Sequence, residues 1–182
     1  QPTTPKASQA AAARKLIKVW ATADLQPLLD QVSKERSFSR GKAVFSEAQC
    51  IACHRYGDQG GAVGPDLTAV ATRYKRQDLL EASTEPSKVL SEQYTNTAIE
   101  TTAGQVMIGR ITEETDDHVV LRQNPLQPET VTVRKSEIES RQLSKTSPMP
   151  TGLLNTFSQD EILDLLAYLE SFGDSKHPNF AR

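Results

Sequence analysis

Cys50-Ile51-Ala52-Cys53-His54 contains both cysteines of the 182-residue chain, so all of its cysteine chemistry lies at one point. Residues 57–65, just after this motif, hold too many glycines for a helix or a central strand and predict a loop. We therefore expect the motif at a helix end, next to a loop that can lie close against a flat group. The helix before it is indicated by residues at helical spacing, namely Gly41, Val44, Phe45 and Ala48.

The pattern Cys-x-x-Cys-His is the attachment sequence of c-type haem. Two thiols three positions apart at a helix end can reach the two vinyl groups on one edge of a porphyrin and form thioethers. The next residue then presents its imidazole to the iron. On this interpretation, Cys50 and Cys53 attach one haem c and His54 is an iron ligand.

Three other interpretations of the motif stay open, with less support. A structural zinc site needs four ligands, and the other histidines, His118 and His177, lack the usual spacing. A thioredoxin-like redox pair follows a strand in a βαβ pattern, whereas a short helix is expected before Cys50. A simple disulfide would leave the adjacent His54 unexplained.

A second axial ligand would have to be a thioether or an imidazole. Met149 is the favoured candidate, because it lies in a Pro-Met-Pro segment whose extended backbone could hold a sulfur against the iron. His118 is the second choice, but it lies in β-prone sequence like Met107, and both are interpreted as ordinary sheet residues. His177 is expected to be exposed near the C-terminus.

Helices are also expected outside the motif. The N-terminal part predicts one over residues 10–20 and a second that Asp24 caps and that ends near Lys34. The final helix is the clearest, because Ser158 and Glu161 form a capping box. Its apolar stripe ends at Gly173 and comprises Ile162, Leu165, Leu166, Leu169 and Phe172.

The middle of the chain has a different character. Residues 92–140 predict a small antiparallel β meander with strands over 94–99, 105–111, 118–122 and 130–133. Ser136 and Glu139 predict a capping box for one helical turn. Residues 147–150 must then be extended, because two prolines restrict the backbone.

Composition narrows the range of partners. The formal net charge is −2 and only 5% of residues are aromatic, which argues against a nucleic-acid partner. No apolar run is long enough for a membrane span, and the first nine residues lack the apolar core of a signal peptide. The start without Met in a polar stretch indicates a mature or excised piece of a longer protein.

The chain resembles class I cytochrome c in the Cys50 to His54 motif, the Met149 loop and the closing helix over residues 165–169. More narrowly, it is similar to the haem-binding domain of large planctomycete and verrucomicrobial secreted proteins. That resemblance covers roughly residues 20–172 and is carried by 41–45, 64–68, 78–81, 85–88, 113–117 and 149–150.

The resemblance implies a mainly α protein, with the class I cytochrome c helical fold, the inserted meander over about 92–140 and an N-terminal helical extension. It implies an extension over 1–37, a monohaem domain over 38–172 and a C-terminal tail over 173–182. Pro65 would offer its carbonyl to His54, and Arg73 with Tyr74 would bind a haem propionate. Gly41 and Phe45 would meet Tyr168 and Leu169 where the first and last helices of the haem domain cross.

The function expected from a His/Met haem is one-electron transfer, with no catalytic acid, base or nucleophile. The resemblance implies a fused or partner dehydrogenase as the redox partner and a periplasmic or other extracytoplasmic location. One alternative is an enzyme or gas sensor with an open iron, in which Met149 does not bind. Another is a binding module in which the β insertion acts and haem stabilises the fold.

Overall fold

A computed structural model describes residues 14–181 of the chain. Helices make up only 33% of the residues and strands 20%, so the expectation of a mainly α protein is wrong. The reason is the segment over residues 97–143, whose β-branched residues build a complete five-stranded antiparallel sheet with a hydrophobic core of its own.

The helical part carries the Cys50 to His54 motif and consists of short helices. Their bounds are α1 Thr22–Leu25, which continues as a 3-10 helix over Gln26–Ser33, α2 Phe38–Glu47, α3 Cys50–Cys53, α4 Arg76–Thr84 and α5 Gln159–Glu170. Short 3-10 turns lie at Val70–Thr72, Lys135–Glu137 and Pro178–Phe180. A two-residue hairpin, β1 Arg55–Tyr56 and β2 Gln59–Gly60, opens the expected loop after the motif.

The closing helix α5 begins as the sequence predicts. The Ser158 hydroxyl accepts from the Glu161 N–H at 3.3 Å, and the Glu161 carboxylate accepts from the Ser158 N–H at 2.7 Å. Phe172, however, is not part of the buried stripe. It lies beyond the helix end with φ +55° and is 48% exposed, so the stripe ends at Leu169.

Helices α2 and α5 cross at Gly41, as the resemblance implied. A Cβ at Gly41 would collide with the Asp164 carbonyl oxygen and lie 2.7 Å from the Tyr168 Cβ, so only glycine permits this approach. Phe45 contacts Tyr168 with ring centroids 5.9 Å apart. The core around this crossing includes Leu25, Val32, Val44, Leu80, Leu154, Phe157, Ile162, Leu165 and Leu166.

The N-terminal segment does not form the expected first helix. Residues 14–21 lie outside any helix or strand, and the expected positions 10–13 lie outside the described residues. The backbone N–H groups of Ile17 and Lys18 donate to the Asn155 carbonyl, and the Trp20 indole donates to the Phe157 carbonyl. These tertiary hydrogen bonds outweigh a local helix preference, which is a weak determinant.

The second expected N-terminal element is present as α1 and its 3-10 continuation. The Asp24 carboxylate accepts from the Ala21 N–H at 3.0 Å, so Asp24 caps the helix from inside its first turn. At the other end of the chain, residues 174–181 pack on the helical part. Phe180 meets the Phe38 ring edge-on, and the Asn179 amide donates to Glu170.

The inserted segment forms a sheet in the order β6-β5-β4-β3-β7, with all neighbours antiparallel. Its core is formed by Ile99, Val119, Leu121 and Val133, with Met107 packed against them. The strand bounds are β3 Thr97–Thr101, β4 Val106–Glu114, β5 His118–Arg122, β6 Val131–Arg134 and β7 Ile138–Leu143.

Strand β7 changes the predicted meander into a partly closed barrel. Strands β6 and β7 are at opposite edges of the sheet, yet only Lys135–Glu137 joins them. In a flat sheet those edges would be about 19 Å apart, whereas the connection from Arg134 to Ile138 spans at most about 14 Å. The sheet must therefore curl, and irregularities in β3 and β4 permit the bend.

The prediction of a capped helical turn at Ser136 and Glu139 is wrong. A 3-10 turn at Lys135–Glu137 leads directly into β7, which contains Glu139 and pairs with β3. Ion pairs support the curled sheet, because Arg141 and Lys135 each lie 2.9 Å from the Glu114 carboxylate. These two partners lower the pKa of Glu114 to about 2.

Candidate haem-binding site

The cysteine motif occupies its own helical turn. Gln49, with φ +64°, turns the chain after α2, and α3 then covers Cys50–Cys53. The His54 N–H donates to the Cys50 carbonyl at 2.9 Å and ends the turn. Because residues three apart on a helix share one face, this turn presents both thiols on the same side.

Both thiols are free in the structure. Burial raises the pKa of Cys50 to about 11 and also raises the pKa of Cys53. A thioredoxin-like nucleophile requires the opposite shift, so the structure gives that alternative no support. Within residues 14–181, no group of three or more His, Cys, Asp or Glu side chains is placed to hold a metal ion, so the zinc alternative gains no support either.

The His54 imidazole is half-buried and held in one orientation. Its Nδ1 lies 2.8 Å from the Pro65 carbonyl oxygen, so Nδ1–H donates there and Nε2 is left for a metal. Burial lowers the pKa of His54, with the Pro65 hydrogen bond acting in the opposite direction. The lowered pKa favours the neutral ring, which is the form that binds a metal.

The glycine-rich loop packs directly on this ring. A Cβ at Gly64 would lie 2.7 Å from the His54 Cε1 and 2.9 Å from Nδ1. The N–H groups of Val63 and Gly64 both donate to the Cys53 carbonyl, at 3.1 and 2.8 Å. The loop is thus tied to the motif on one side and to the imidazole on the other.

A mainly apolar cavity lies beside His54, and Met149 is in its wall. Met149 is held by hydrogen bonds of its loop, because its N–H donates to the Ser147 hydroxyl and the Ser147 N–H donates to Ser87. The cavity is lined by Phe45, Cys50, His54, Leu67, Ser83, Met149, Leu153, Leu154, Leu165 and Leu169.

The donor set of this cavity fits a covalently bound haem. A thiol, an imidazole with its Nδ1 already occupied and a thioether share one apolar site, and the second thiol is on the adjoining turn. His with Met is an established ligand pair of haem iron in cytochromes c. Apolar walls of leucine and phenylalanine suit the porphyrin faces.

The other candidate ligands lie elsewhere. Met107 packs in the barrel core, and the His118 Nδ1 is 3.0 Å from the Thr115 hydroxyl on the barrel surface. The His177 Nδ1 accepts from the Asn179 N–H. Of the four candidates, only Met149 shares the cavity with His54.

Arg73 is not brought to the cavity. Its guanidinium donates to the Asp66 carbonyl at 3.4 Å and lies 6.0 Å from the Tyr74 ring centroid, with both side chains exposed. Sequence reasoning did not assign four of the cavity residues to the site, namely Leu67, Ser83, Leu153 and Leu154. Ser83 carried no signal in the sequence, because a helical serine that donates to the carbonyl four residues back is ordinary.

Comparison with known proteins agrees with this geometry. Residues 38–120 match the family model described as Cytochrome c, which covers α2, the motif, α4 and the first strands of the barrel. The match is less than half of the chain and ends before Met149. No curated protein matches the chain.

Residues 38–120 are therefore similar to cytochrome c, and the site around the motif has the donor groups of a c-type haem site. This similarity supports a haem-binding electron-transfer module with covalently bound haem c, and cytochrome c domains are typically extracytoplasmic. Among the described residues, no helix is both long enough and apolar enough to cross a membrane.

Proposed function

We propose that the chain carries single electrons through one haem c, attached by Cys50 and Cys53 and ligated by His54 and Met149. The observation that carries the proposal is the pairing of an imidazole, already oriented by Pro65, with a thioether in the same apolar cavity. When bound, haem c supplies an iron that exchanges one electron between its ferrous and ferric states.

The protein's own residues keep the change of geometry small during that exchange. The Pro65 carbonyl and Gly64 hold the imidazole, and Ser147 holds the Met149 loop. The leucines of the cavity exclude water, so little solvent has to reorient around the iron. We further propose that the electrons pass to or from another redox protein or a fused dehydrogenase outside the cytoplasm.

Covalent attachment is the first test. Expressed in a host that matures c-type cytochromes, the chain is expected to gain the mass of one haem and to stain for haem on a denaturing gel. Replacement of both Cys50 and Cys53 by Ala should abolish the stain and the added mass, and each single replacement should leave at most one thioether. The control is His118→Ala, which should keep the attached haem. A protein matured in this host without added mass refutes the proposal.

Met149→Ala tests the second axial ligand. We expect haem to remain attached, while the weak sulfur-to-iron charge-transfer band is lost, the reduction potential falls and the iron becomes able to bind cyanide or carbon monoxide. Met107→Ala is the matched control, because it removes a thioether from the barrel core. Met107→Ala should keep the spectrum and lower the free energy of unfolding by about 2 kcal/mol. This is the lower end of the usual cost of replacing a buried methionine by alanine, because Met107 is only half-buried.

Two outcomes would contradict the assignment of Met149. An unchanged spectrum in Met149→Ala means that another group binds the iron. A wild-type protein that is already high-spin and binds carbon monoxide has an open iron, and the function is then that of a haem enzyme or gas sensor.

A further inference from the structure

An arginine side chain of the β barrel contacts the glycine-rich loop over residues 57–65. The Arg110 Nη1 donates to the Val63 carbonyl at 3.0 Å and connects β4 to a loop 47 positions earlier in the chain. The same guanidinium lies 5.6 Å from the Tyr94 ring centroid, which limits its freedom. A hydrogen bond from a charged donor is about twice as strong as one between neutral groups.

Val63 is therefore held from both sides. Its N–H donates to the Cys53 carbonyl and its own carbonyl accepts from Arg110. The next residue, Gly64, lies against the His54 ring, and Pro65 accepts from the ring nitrogen. Because Val63, Gly64 and Pro65 are consecutive, a shift of the Val63 peptide also moves the two residues that set the orientation of the imidazole.

The position of Arg110 is not explained by the stability of the sheet. It is directly opposite Arg122 on β5, and like charges in opposite positions of a sheet are destabilising. Within residues 14–181, neither arginine has an ion-pair partner, and the buried Arg122 Nε has no hydrogen-bond acceptor. The hydrogen bond that the Arg110 guanidinium makes is to the Val63 carbonyl, outside the sheet.

We propose that Arg110 is a positioning residue, through which the β barrel sets the orientation of the His54 imidazole and so tunes the haem iron. This inference rests on the proposed function, because it requires His54 to be an iron ligand. It assigns to the inserted barrel a role in the haem site itself. Second-sphere partners of a ligating histidine are known to tune the metal that it binds.

Two charge-equivalent variants of the haem-loaded protein test the proposal. Arg110→Gln and Arg122→Gln each remove one positive charge at directly opposed positions, but only the first removes the hydrogen bond to Val63. Both are expected to lower the reduction potential, because a nearby cation favours the reduced iron. Only Arg110→Gln should also change the ferric low-spin g-values and the NMR shifts of the His54 ring protons, which report ring orientation.

Amide hydrogen exchange supplies a second readout in the same samples. The Val63 and Gly64 amides should exchange faster in Arg110→Gln than in Arg122→Gln, because the loop loses one of its two attachments. Arg110→Lys keeps the charge and a single donor, so it should restore part of the wild-type spectrum. It also serves as the test variant if Arg110→Gln does not fold.

The outcomes separate this inference from the proposed function. If neither variant alters the His54 signals, or if both alter them equally, the positioning role of Arg110 is refuted while the haem assignment stands. If the wild-type protein shows no signals of an iron-bound histidine, the proposed function fails first and the inference fails with it.

Discussion

Gly64→Ala is expected to disrupt the binding of His54 to iron, because the added methyl group would collide with the imidazole ring. The added Cβ would lie 2.7 Å from Cε1, 2.9 Å from Nδ1 and 3.3 Å from Nε2 of the imidazole. The ring cannot move away without losing its hydrogen bond to Pro65. Loss of such support typically weakens metal binding by roughly 10- to 100-fold.

The measurement is the yield of holoprotein relative to total protein, with the visible spectrum of the attached haem. Gly64→Ala should reduce the yield and the fraction of low-spin iron. Gly104→Ala is the control, because a Cβ there meets nothing within 4 Å, although φ is +77°. It should cost about 1 kcal/mol of stability and leave the spectrum unchanged. Equal yields and spectra in the two variants would contradict the prediction.

Asp164→Ala is expected to cost about 2–3 kcal/mol of unfolding free energy, because it removes a buried carboxylate that accepts hydrogen bonds from charged and backbone donors. The Asp164 side chain is fully buried at the crossing of α2 and α5. Its carboxylate pairs with Arg40 and with the Arg36 Nε at 3.6 Å, and it accepts from the Ser37 N–H at 3.0 Å. Removal of the carboxylate therefore removes two ion pairs and one hydrogen bond at the start of α2.

Asp160→Ala is the matched control. Asp160 lies one turn earlier on α5 and also pairs with Arg36, at 3.2 Å, but its side chain is 63% exposed. Exposed ion pairs contribute at most about 1 kcal/mol. Urea unfolding of both variants gives the comparison. A midpoint for Asp164→Ala that equals that of Asp160→Ala would show that the buried carboxylate does not stabilise the crossing.

The parts of the fold that could be predicted are those with strong local patterns. The capping box of Ser158 and Glu161 and the apolar stripe specify α5 from within a short stretch; the buried stripe residues are Ile162, Leu165, Leu166 and Leu169. The alternating β-prone residues of β4 and β5 likewise identify strands without reference to the rest of the chain. In these elements, the preference of each residue and its final environment agree.

The parts of the fold that the sequence did not predict correctly depend on residues far away in the sequence. Residues 138–143 have no apolar alternation in their sequence, and all but Ile138 are exposed in the structure. They form β7 because they pair with the free edge of β3. Residues 14–21 have a helical composition but bind Asn155 and Phe157, more than 130 positions away. Such pairings depend on the assembled protein and leave no local trace.

The residues of the candidate site likewise fall into those that a local motif indicates and those that only the folded structure places. Cys50, Cys53 and His54 are adjacent, so one helical turn places them together and the motif alone indicates their chemistry. Arg73 was proposed from resemblance, and the structure leaves it on the surface. Arg110 was missed because an arginine in a β-prone stretch is unremarkable until its strand is placed beside Val63.

The amino-acid sequence by itself determined the haem-attachment motif, the helix that follows the Met149 loop and the presence of β structure in the middle of the chain. The tertiary structure decided that β7 curls the sheet into a partly closed barrel, that Met149 shares a cavity with His54 and that Arg110 contacts the glycine-rich loop. The physical reason is the separation along the chain over which each kind of interaction acts. Hydrogen bonding and side-chain periodicity within one element act over a few residues, whereas closure of a sheet and the meeting of separate loops depend on which surfaces can be buried together.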